Sequence, residues 1–357
     1  MPRVLFITRK WPPAVGGMET YSHELARALG DQVDLEVLAL EGRADGRPPA
    51  ATALLRFFLS ALTLIARHRR GFDVVHVGDF VLYPLLVWHK LIAGRGRRVV
   101  SVHGLDLIFG SRDGGPAALY RAYMRVARWL EAHWPVADAV VANSRHTAGL
   151  AEEAGLSRIH LVPLGVRLPE RAPEARPAEP FVLFVGRIVP RKGAVWFVRE
   201  VLDRLPADVR FKVAGTVWSQ ADAVELGSHP RVDLLGRVPD GQLQRLRREA
   251  IAVVMPNVAG NGTDVEGFGL AALEAAAAGG VLVASAIEGI TDAVIDGETG
   301  FLLPSGCARS WAAKIEHLAG WTEVERADLV GRARETLSER FSWERVAADT
   351  MEKAYLS

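Results

Sequence analysis

The sequence predicts two α/β domains, each built on a mostly parallel sheet. Short apolar runs alternate with helical patterns along the chain, as expected for strands that are buried on both faces. The alternation stops over residues 167–180, which contain four prolines without periodicity, and it resumes after them. This interruption indicates a linker between two domains. The length of 357 residues suits two domains, and 49% apolar residues can supply two cores.

The first domain, over residues 1–166, opens with a strand, a glycine turn and a helix. Residues 4–7 form the apolar run, and Gly16-Gly17 precede a helix predicted over 18–29. The turn is not Gly-x-Gly-x-x-Gly, so dinucleotide binding is not indicated. Further strands are predicted at 35–40, 74–77, 99–102, 139–142 and 159–162.

The second domain, over residues 181–340, repeats this pattern. A strand at 181–185 leads into a loop and a helix predicted to reach residue 205. A helical tail begins near residue 310, and its last part, 341–357, is predicted to return towards the first domain. The other strands of the second domain are predicted at 211–214, 232–235, 252–255, 281–284 and 300–303.

Charge is unevenly spread along the chain. The net charge is +1, yet residues 1–168 hold 21 Lys/Arg against 15 Asp/Glu, and the remainder holds 22 against 27. The basic first half suggests contact with an anionic partner such as a membrane surface; no nucleic-acid partner is predicted. The single cysteine, Cys307, excludes an internal disulfide and a Cys-based metal site. With no signal-peptide pattern and no run long enough to span a bilayer, we expect a cytoplasmic protein.

Two carboxylates, Glu266 and Glu274, flank a predicted helix start with seven residues between them. Gly269 permits the turn, and the Leu/Ala-rich run after it favours a helix. Glu266 is then a loop residue ahead of a helix N-terminus, whose free N–H groups and positive dipole suit a phosphate. The same residues also fit a tight turn packed on a sheet. The functional interpretation is a nucleotide sugar, in which hydroxylated groups flank a diphosphate on both sides.

Two cations, Arg187 and Lys192, follow the first strand of the second domain. A guanidinium and an ammonium suit a diphosphate, and they stabilise the charge that grows on such a leaving group. A solvated basic loop is the alternative. Gly16 and Gly17 let backbone N–H groups approach a phosphate or an acceptor, or form a plain strand-to-helix turn, and Glu19 fits an ordinary role in the first helical turn.

In this order and at these spacings, the motifs resemble glycosyltransferase family 4, the retaining nucleotide-sugar transferases with the GT-B fold. The resemblance covers essentially the whole chain. It implies two Rossmann-like domains that face each other across a cleft, with a C-terminal helix that packs back on the N-terminal domain. Its further markers are Val102-His103-Gly104, Asn143-Ser144, Val185-Gly186-Arg187, Lys192-Gly193 and Asp296-Gly-x-x-Gly300.

The resemblance also implies roles for individual residues. Arg187 and Lys192 would bind the donor diphosphate, and Glu274 would bind the ribose hydroxyls. Glu266 and His103 would lie beside the transferred sugar. The implied catalytic residues are His103, Arg187, Lys192 and Glu266. The implied donor-binding residues are Gly16, Gly17, Gly186, Arg187, Lys192, Arg237, Val238, Glu266, Gly267, Phe268, Gly269, Leu270 and Glu274, with Arg237 and Val238 along the base.

The implied activity is transfer of a hexosyl unit, with retention, from a UDP- or GDP-linked sugar. The acceptor would be a glycan or a lipid-linked molecule in the synthesis of cell-surface polysaccharide, lipopolysaccharide or glycolipid. No cofactor is expected: no Asp-x-Asp metal signature is found, and the two cations and the helix dipole can neutralise the diphosphate. Two alternatives stay open, an inactive nucleotide-sugar-binding partner of another transferase and a nucleotide-sugar epimerase or hydrolase.

One segment departs from the family pattern. The sequence reads Glu-Gly-Ile-Thr-Asp over residues 288–292, where the family more often has Gly-Gly-Ile-Pro-Glu. We expect this segment to lie away from the reaction centre, so the departure puts in doubt a detail of packing or of base contact.

The acceptor side is predicted from residues 52–70, an apolar helix that ends in Arg67, Arg69 and Arg70. A core helix with a solvated end fits this pattern equally well. With the basic balance of the first half, we hypothesise that this region docks on the anionic lipid of the inner membrane's cytoplasmic face and meets a lipid-linked acceptor. Nearby aromatic and basic residues share this assignment: Phe57, Phe58, Trp88, His89, Lys90, Arg95, Arg97 and Arg98.

Overall fold

The computed structural model describes residues 1–43, 47–169, 180–260 and 262–357. They form two compact units. The first unit comprises Met1–Leu164, Gly262–Phe268 and Trp343–Ser357, and the second comprises Gly165–Asn261 and Gly269–Ser342.

Each unit contains one six-stranded parallel sheet. The strands of the first are β1 Arg3–Trp11, β2 Asp34–Glu41, β3 Val74–Val77, β4 Arg97–Val102, β5 Ala139–Ala142 and β6 Ile159–Leu161. The strands of the second are β7 Phe181–Val185, β8 Arg210–Ala214, β9 Val232–Gly236, β10 Ala252–Met255, β11 Leu282–Ser285 and β12 Phe301–Leu303.

Helices cover the sheets. They are α1 Gly17–Gly30, α2 Ala51–Arg67, α3 Tyr83–Ala93, α4 Leu105–Ile108, α5 Gly115–His133, α6 Arg145–Glu153, α7 Ala194–Glu200, α8 Gln220–Ser228, α9 Asp240–Glu249, α10 Leu270–Ala277, α11 Ile290–Ala293, α12 Ala308–Ala319, α13 Glu323–Arg340 and α14 Trp343–Thr350. Short 3₁₀ turns occur at Phe80–Leu82, Phe109–Ser111, Pro190–Lys192 and Leu202–Arg204, and a π-helical turn at Met351–Tyr355.

The first sheet has the strand order β2-β1-β3-β4-β5-β6. Phe6 on β1 pairs with Val37 on one side and with His76 on the other. β3 and β5 are buried along their whole length, because helices cover both faces. Connections between parallel strands are right-handed, so the direction of a connection across the sheet decides which face its helix covers. One face therefore carries α2, α3 and α5, which connect strands in the same direction. The opposite face carries α1, which connects strands in the other direction.

The last helix, α14, packs against α1 in the first unit. Trp343 is buried at its start, and Tyr355 is buried in the turn that follows it. The Tyr355 hydroxyl lies 2.7 Å from Nδ1 of His76, and Nε2 of His76 lies 2.8 Å from the Ser101 hydroxyl. Ser101 is in turn 2.6 Å from the hydroxyl of Tyr21 on α1. A buried chain of hydrogen bonds therefore ties the end of the chain to β3, β4 and α1.

The second sheet has the order β12-β11-β10-β7-β8-β9, with β7 in the interior. Leu183 on β7 pairs with Lys212 and with Val253 on its two neighbours. The core between this sheet and its helices includes stacked Phe197 and Phe211, and Trp311 of α12 packs on them.

The prediction of two α/β domains with parallel sheets is confirmed, and every predicted strand is present. The prediction that the helix reaches residue 205 is wrong: α7 ends at Glu200, and a 3₁₀ turn, Leu202–Arg204, follows. Leu205 is extended because it precedes Pro206, which disfavours helical geometry. Of the predicted linker, residues 170–179 lie outside the described residues. Residues 262–268, assigned from the sequence to the second domain, group with the first sheet.

Candidate functional site

His103 follows the carboxyl end of β4 and is buried. Its Nε2 lies 2.9 Å from the carbonyl oxygen of Gly78. A carbonyl only accepts, so Nε2 carries a proton. Nδ1 lies 3.5 Å from the Asn143 side-chain nitrogen. Tyr21 packs edge-on against the ring, with centroids 4.8 Å apart. These contacts fix the position of the imidazole.

Asp106 has a structural role beside His103. Its carboxylate accepts hydrogen bonds from the backbone N–H groups of His103 (2.9 Å) and Phe80 (3.1 Å). Burial raises the pKa of this carboxyl. Asp79, also buried, pairs with Arg9 at 2.9 Å. The carboxylates therefore hold the loops around His103.

The segment Gly262–Phe268 is held against the same strand ends. The carbonyl oxygen of Gly267 accepts hydrogen bonds from the hydroxyls of Ser144 (2.5 Å) and Thr147 (3.1 Å) at the start of α6. A Cβ at Gly267 would lie 2.0 Å from the His103 carbonyl oxygen, so only glycine fits here. Phe268 is buried. Glu266 therefore directly precedes a residue that is fixed on the His103 peptide.

Gly16 and Gly17 stand at the start of α1, and the backbone N–H of Thr20 donates to the Gly16 carbonyl. Glu19 pairs with Lys10 at 3.1 Å. Glu19 lies in the first turn of α1, the position from which the sequence suggested a capping role.

In the second unit, the loop after β7 carries the two predicted cations. Arg187 is exposed, and its guanidinium lies over the Trp218 ring, 5.0 Å from the centroid, as in a cation–π contact. Lys192 ends the 3₁₀ turn. Gly193 follows it with φ of 75°, and a Cβ there would lie 1.8 Å from the Pro256 carbonyl oxygen. The loop is thus seated on the carboxyl end of β10.

Arg191, beside Lys192, is buried and lies 3.8 Å from the Glu288 carboxylate. Glu288 has a φ of 49°, a left-handed conformation that L-residues other than glycine rarely adopt. Ile290 packs within 3.3 Å of the position that a Cβ would take at Gly269. Segment 288–292 therefore contacts Arg191, the neighbour of Lys192, and the surroundings of Gly269.

Glu274 lies on α10 beside a buried cation. Its Oε2 accepts a hydrogen bond from Nη2 of Arg247 at 2.7 Å. The Arg247 side chain is 4% exposed and that of Glu274 is 39% exposed, so the pair orients a carboxylate that solvent still reaches. α10 begins at Leu270, and Gly269 precedes it with φ of 95°, as predicted for a glycine-permitted helix start.

The remaining predicted residues lie along the carboxyl ends of the second sheet. Gly186 follows β7, and its N–H donates to the Ala214 carbonyl at 2.9 Å. Arg237 and Val238 follow β9, and Arg237 is exposed.

Within the first unit, the structure brings His103 and Gly267 together with Ser144, and it places Gly16 and Gly17 at the start of α1. Glu266 and Phe268 belong to this unit as the neighbours of Gly267. The second unit holds Gly186, Arg187, Lys192, Arg237, Val238, Gly269, Leu270 and Glu274.

Sequence reasoning missed several residues that touch these sites. Arg247 carried a usable signal: it follows Leu243 and Leu246 on the buried face of α9, where a cation needs a buried partner. Thr147 could have been found as the residue three positions after the helix-capping Ser144. No sequence motif pointed to Trp218, Arg191 or Tyr21.

Two parallel-sheet α/β units of this kind form the GT-B fold of glycosyltransferases. Two family models match the chain in succession. Residues 15–169 match the model described as Glycosyltransferase Family 4, and residues 179–320 match the one described as Glycosyl transferases group 1. The chain belongs to glycosyltransferase family 4.

Curated relatives and solved structures agree with this assignment. The D-inositol 3-phosphate glycosyltransferase of Segniliparus rotundus is 34% identical over 59% of this chain and 50% of its own length; the chain spans about half the length of the relatives of that name. The glycogen synthase of Mycobacterium tuberculosis is 27% identical over 98% of this chain and 93% of its own. The structure of Anabaena HepE with UDP-glucose has a TM-score of 0.69, with 19% identity over 99% of both chains, which shows the fold.

Proposed function

We propose that the protein is a hexosyltransferase that moves a sugar, with retention of configuration, from a UDP- or GDP-linked donor to a glycan or a lipid-linked acceptor. The observation that carries the proposal is the contact of Gly267 with His103. It fixes the backbone after Glu266 on the peptide of a buried histidine whose Nε2 donates to the Gly78 carbonyl. A carboxylate and an imidazole at fixed backbone positions can bind sugar hydroxyls and stabilise charge on the ring.

The diphosphate of the donor is assigned to Arg187 and Lys192. The loop that carries them is seated on β10 through Gly193, so the cations need little reorganisation when a leaving group develops charge. We propose that these cations, with the N-terminal end of α10, serve in place of a metal ion.

The nucleoside is assigned to Glu274, Arg237 and Val238. The contact with Arg247 uses one oxygen of the Glu274 carboxylate. The second oxygen is left to accept hydrogen bonds from ribose hydroxyls. Support for a nucleotide-sugar donor comes from Anabaena HepE, a protein of the same fold whose structure contains UDP-glucose. Relatives named for inositol phosphate and glycogen support a polyhydroxylated acceptor.

The first experiment is calorimetric titration of the protein with UDP, GDP and ADP. We expect binding of one of them, weakened at least about tenfold in Lys192→Ala because a charge-assisted contact to phosphate is lost. The matched control is Arg309→Ala, which removes an exposed cation from the same unit. Binding of none of the three by a folded sample contradicts the proposal as stated.

Product analysis with and without an acceptor then separates the reaction classes. Glycosylated acceptor with the donor's anomeric configuration supports the proposal. Free sugar or an epimer formed without acceptor identifies a hydrolase or an epimerase. Nucleotide binding without any turnover, in the presence of a partner transferase that needs this chain, identifies an inactive subunit.

A further inference from the structure

Helix α5 presents an apolar stripe to solvent. Leu119, Val126 and Trp129 have relative exposures of 74%, 58% and 59%. Their spacings of seven and three residues place them on one side of the helix. The buried residues of α5, among them Ala127 and Glu131, are on the other side. The stripe therefore takes no part in the packing of α5 on its sheet.

The exposed arginines of α5 make its charge positive. Arg121, Arg125 and Arg128 are exposed on α5. The one carboxylate of the helix, Glu131, is buried, where it accepts hydrogen bonds from the Tyr83 hydroxyl (2.5 Å) and from two backbone N–H groups. α5 therefore exposes cations and apolar groups to solvent, but no carboxylate.

The neighbouring helices extend the same surface. α2, α3 and α5 lie on one face of the first sheet; the Trp88 ring N–H donates to the Leu62 carbonyl between α2 and α3, and Tyr83 joins α3 to α5. α2 and α3 contain no Asp or Glu. Their large exposed apolar residues are Leu54, Leu55, Leu59 and Leu91, and Arg56 and Arg67 are exposed cations. We call the outward side of these three helices the outer helical surface.

We propose that the outer helical surface docks on a bilayer that contains anionic lipid, with α5 as its main contact. Arginines reach lipid phosphates, while leucine and tryptophan enter the interface between headgroups and acyl chains. Charge complementarity favours this occupant over a second copy of the chain, because a two-fold contact would place this basic surface against the same basic surface of the other copy. This inference rests on the proposed function in one respect: docking on a bilayer favours a lipid-linked acceptor for the transferase.

The docking residues differ from those that the sequence indicated on and around α2. Phe57 is buried in the core and His89 is 2% exposed. Arg97 donates to the Ala354 carbonyl, and Arg98 pairs with Asp138 at 2.6 Å. These four residues hold the first unit together. α5 takes their place, because its apolar residues face outwards.

Flotation of the full-length protein with vesicles tests the proposal. We expect it to float with vesicles of phosphatidylcholine and phosphatidylglycerol at low salt and not with phosphatidylcholine alone. Each basic residue near an anionic surface contributes about a factor of five in partitioning, so Arg125→Ser with Arg128→Ser lowers the partition coefficient about 30-fold. Trp129→Ser lowers it as well. The matched control, Arg245→Ser with Arg309→Ser, makes the same charge change on exposed arginines of the second unit and retains binding.

Any of these outcomes overturns the docking proposal: no flotation with anionic vesicles at low salt, equal loss in both double variants, or a dimer that α5 substitutions dissociate in a protein that binds no vesicles. Capture of a soluble acidic protein without vesicle binding would do the same. Thermal unfolding checks that each variant is folded. Nucleotide titration keeps the two proposals apart: α5 variants that lose vesicles but bind nucleotide normally leave the transferase proposal standing, whatever flotation shows.

Discussion

The hydroxyl oxygen of Ser144 lies 2.5 Å from the carbonyl oxygen of Gly267, a residue 123 positions later in the chain. Ser144 also accepts a hydrogen bond from the Thr147 N–H at 3.0 Å and so caps α6. One side chain therefore both starts a helix and holds the segment that carries Glu266.

Gly267→Ala tests this placement. The added Cβ would lie 2.0 Å from the His103 carbonyl oxygen, so the segment must move. A displacement of about 1 Å in an active site costs about 100-fold in kcat, and we expect a loss of that order with less than about a threefold change in nucleotide affinity. Gly149→Ala on α6, where a Cβ meets nothing within 4 Å, is the control. Unchanged kcat in Gly267→Ala would show that the segment does not position the reaction.

Ser144→Ala is expected to destabilise the protein more than Thr147→Val. The first change removes the α6 cap and one donor to Gly267, each of which contributes about 1 kcal/mol. The second leaves the Ser144 hydroxyl bonded to the Gly267 carbonyl, so its cost is about 1 kcal/mol. Urea unfolding of both variants measures the difference. Equal losses would mean that the Ser144 cap adds nothing.

Arg247→Met is expected to weaken nucleotide binding about tenfold, because Glu274 loses the cation that orients its carboxylate. The loss should appear with the nucleoside diphosphate and not with inorganic pyrophosphate, since Glu274 is assigned to the ribose. Calorimetry with both ligands measures this. Equal weakening for the two would remove Glu274 from the ribose and place its effect on the phosphates.

Glu288→Ala and Glu288→Gly separate backbone strain from the ion pair. Both remove the contact with Arg191, but only glycine relieves the left-handed φ of 49°. We expect Glu288→Gly to be more stable than Glu288→Ala by about 1 kcal/mol. Both variants should lose nucleotide affinity equally, because Arg191 adjoins Lys192. Chemical unfolding that ranks the alanine variant as the more stable would exclude the strain.

The pH dependence of stability should report on His76. Burial, aided by the nearby His103, lowers its pKa from 6.5 to about 3. Below pH 6.5 the unfolded chain binds a proton that the folded chain does not take up until about pH 3, so the free energy of unfolding falls as the pH drops through this window. One such proton contributes a slope of about 1.4 kcal/mol per pH unit.

His76→Gln isolates this contribution. His89, whose pKa burial lowers to about 4, adds a slope of the same sign to both proteins, so the difference between them belongs to His76. Urea unfolding at several pH values between about 5 and 7 should give a shallower slope for the variant. Parallel slopes would show that His76 takes up its proton in the folded protein.

The sequence was sufficient for what depends on local pattern. Fully apolar runs such as residues 139–142 could only be strands buried on both faces, and Gly269 before a Leu/Ala-rich run predicted the start of α10. Both follow from backbone conformation and burial, which neighbouring residues determine.

The parts that the sequence did not predict depend on distant partners. Arg247 finds Glu274 27 residues away, and Arg191 finds Glu288 97 residues away. The outward direction of the apolar side of α5 also depends on which side the sheet occupies. Residues 52–70 carried the stronger hydrophobic signal, and that signal came in part from core residues such as Phe57.

The contacts of Tyr355 with His76 and of Trp343 with the first unit have a consequence for how the protein is made. During synthesis the six strands of the first sheet emerge early, but Gly262–Phe268 and residues 343–355 follow only after most of the second unit. Until then, His76 lacks its partner Tyr355 and Ser144 lacks its partner Gly267. The first domain to be translated is thus the last to be completed, and a fragment that stops near residue 168 should be recovered poorly or aggregated rather than as a folded domain.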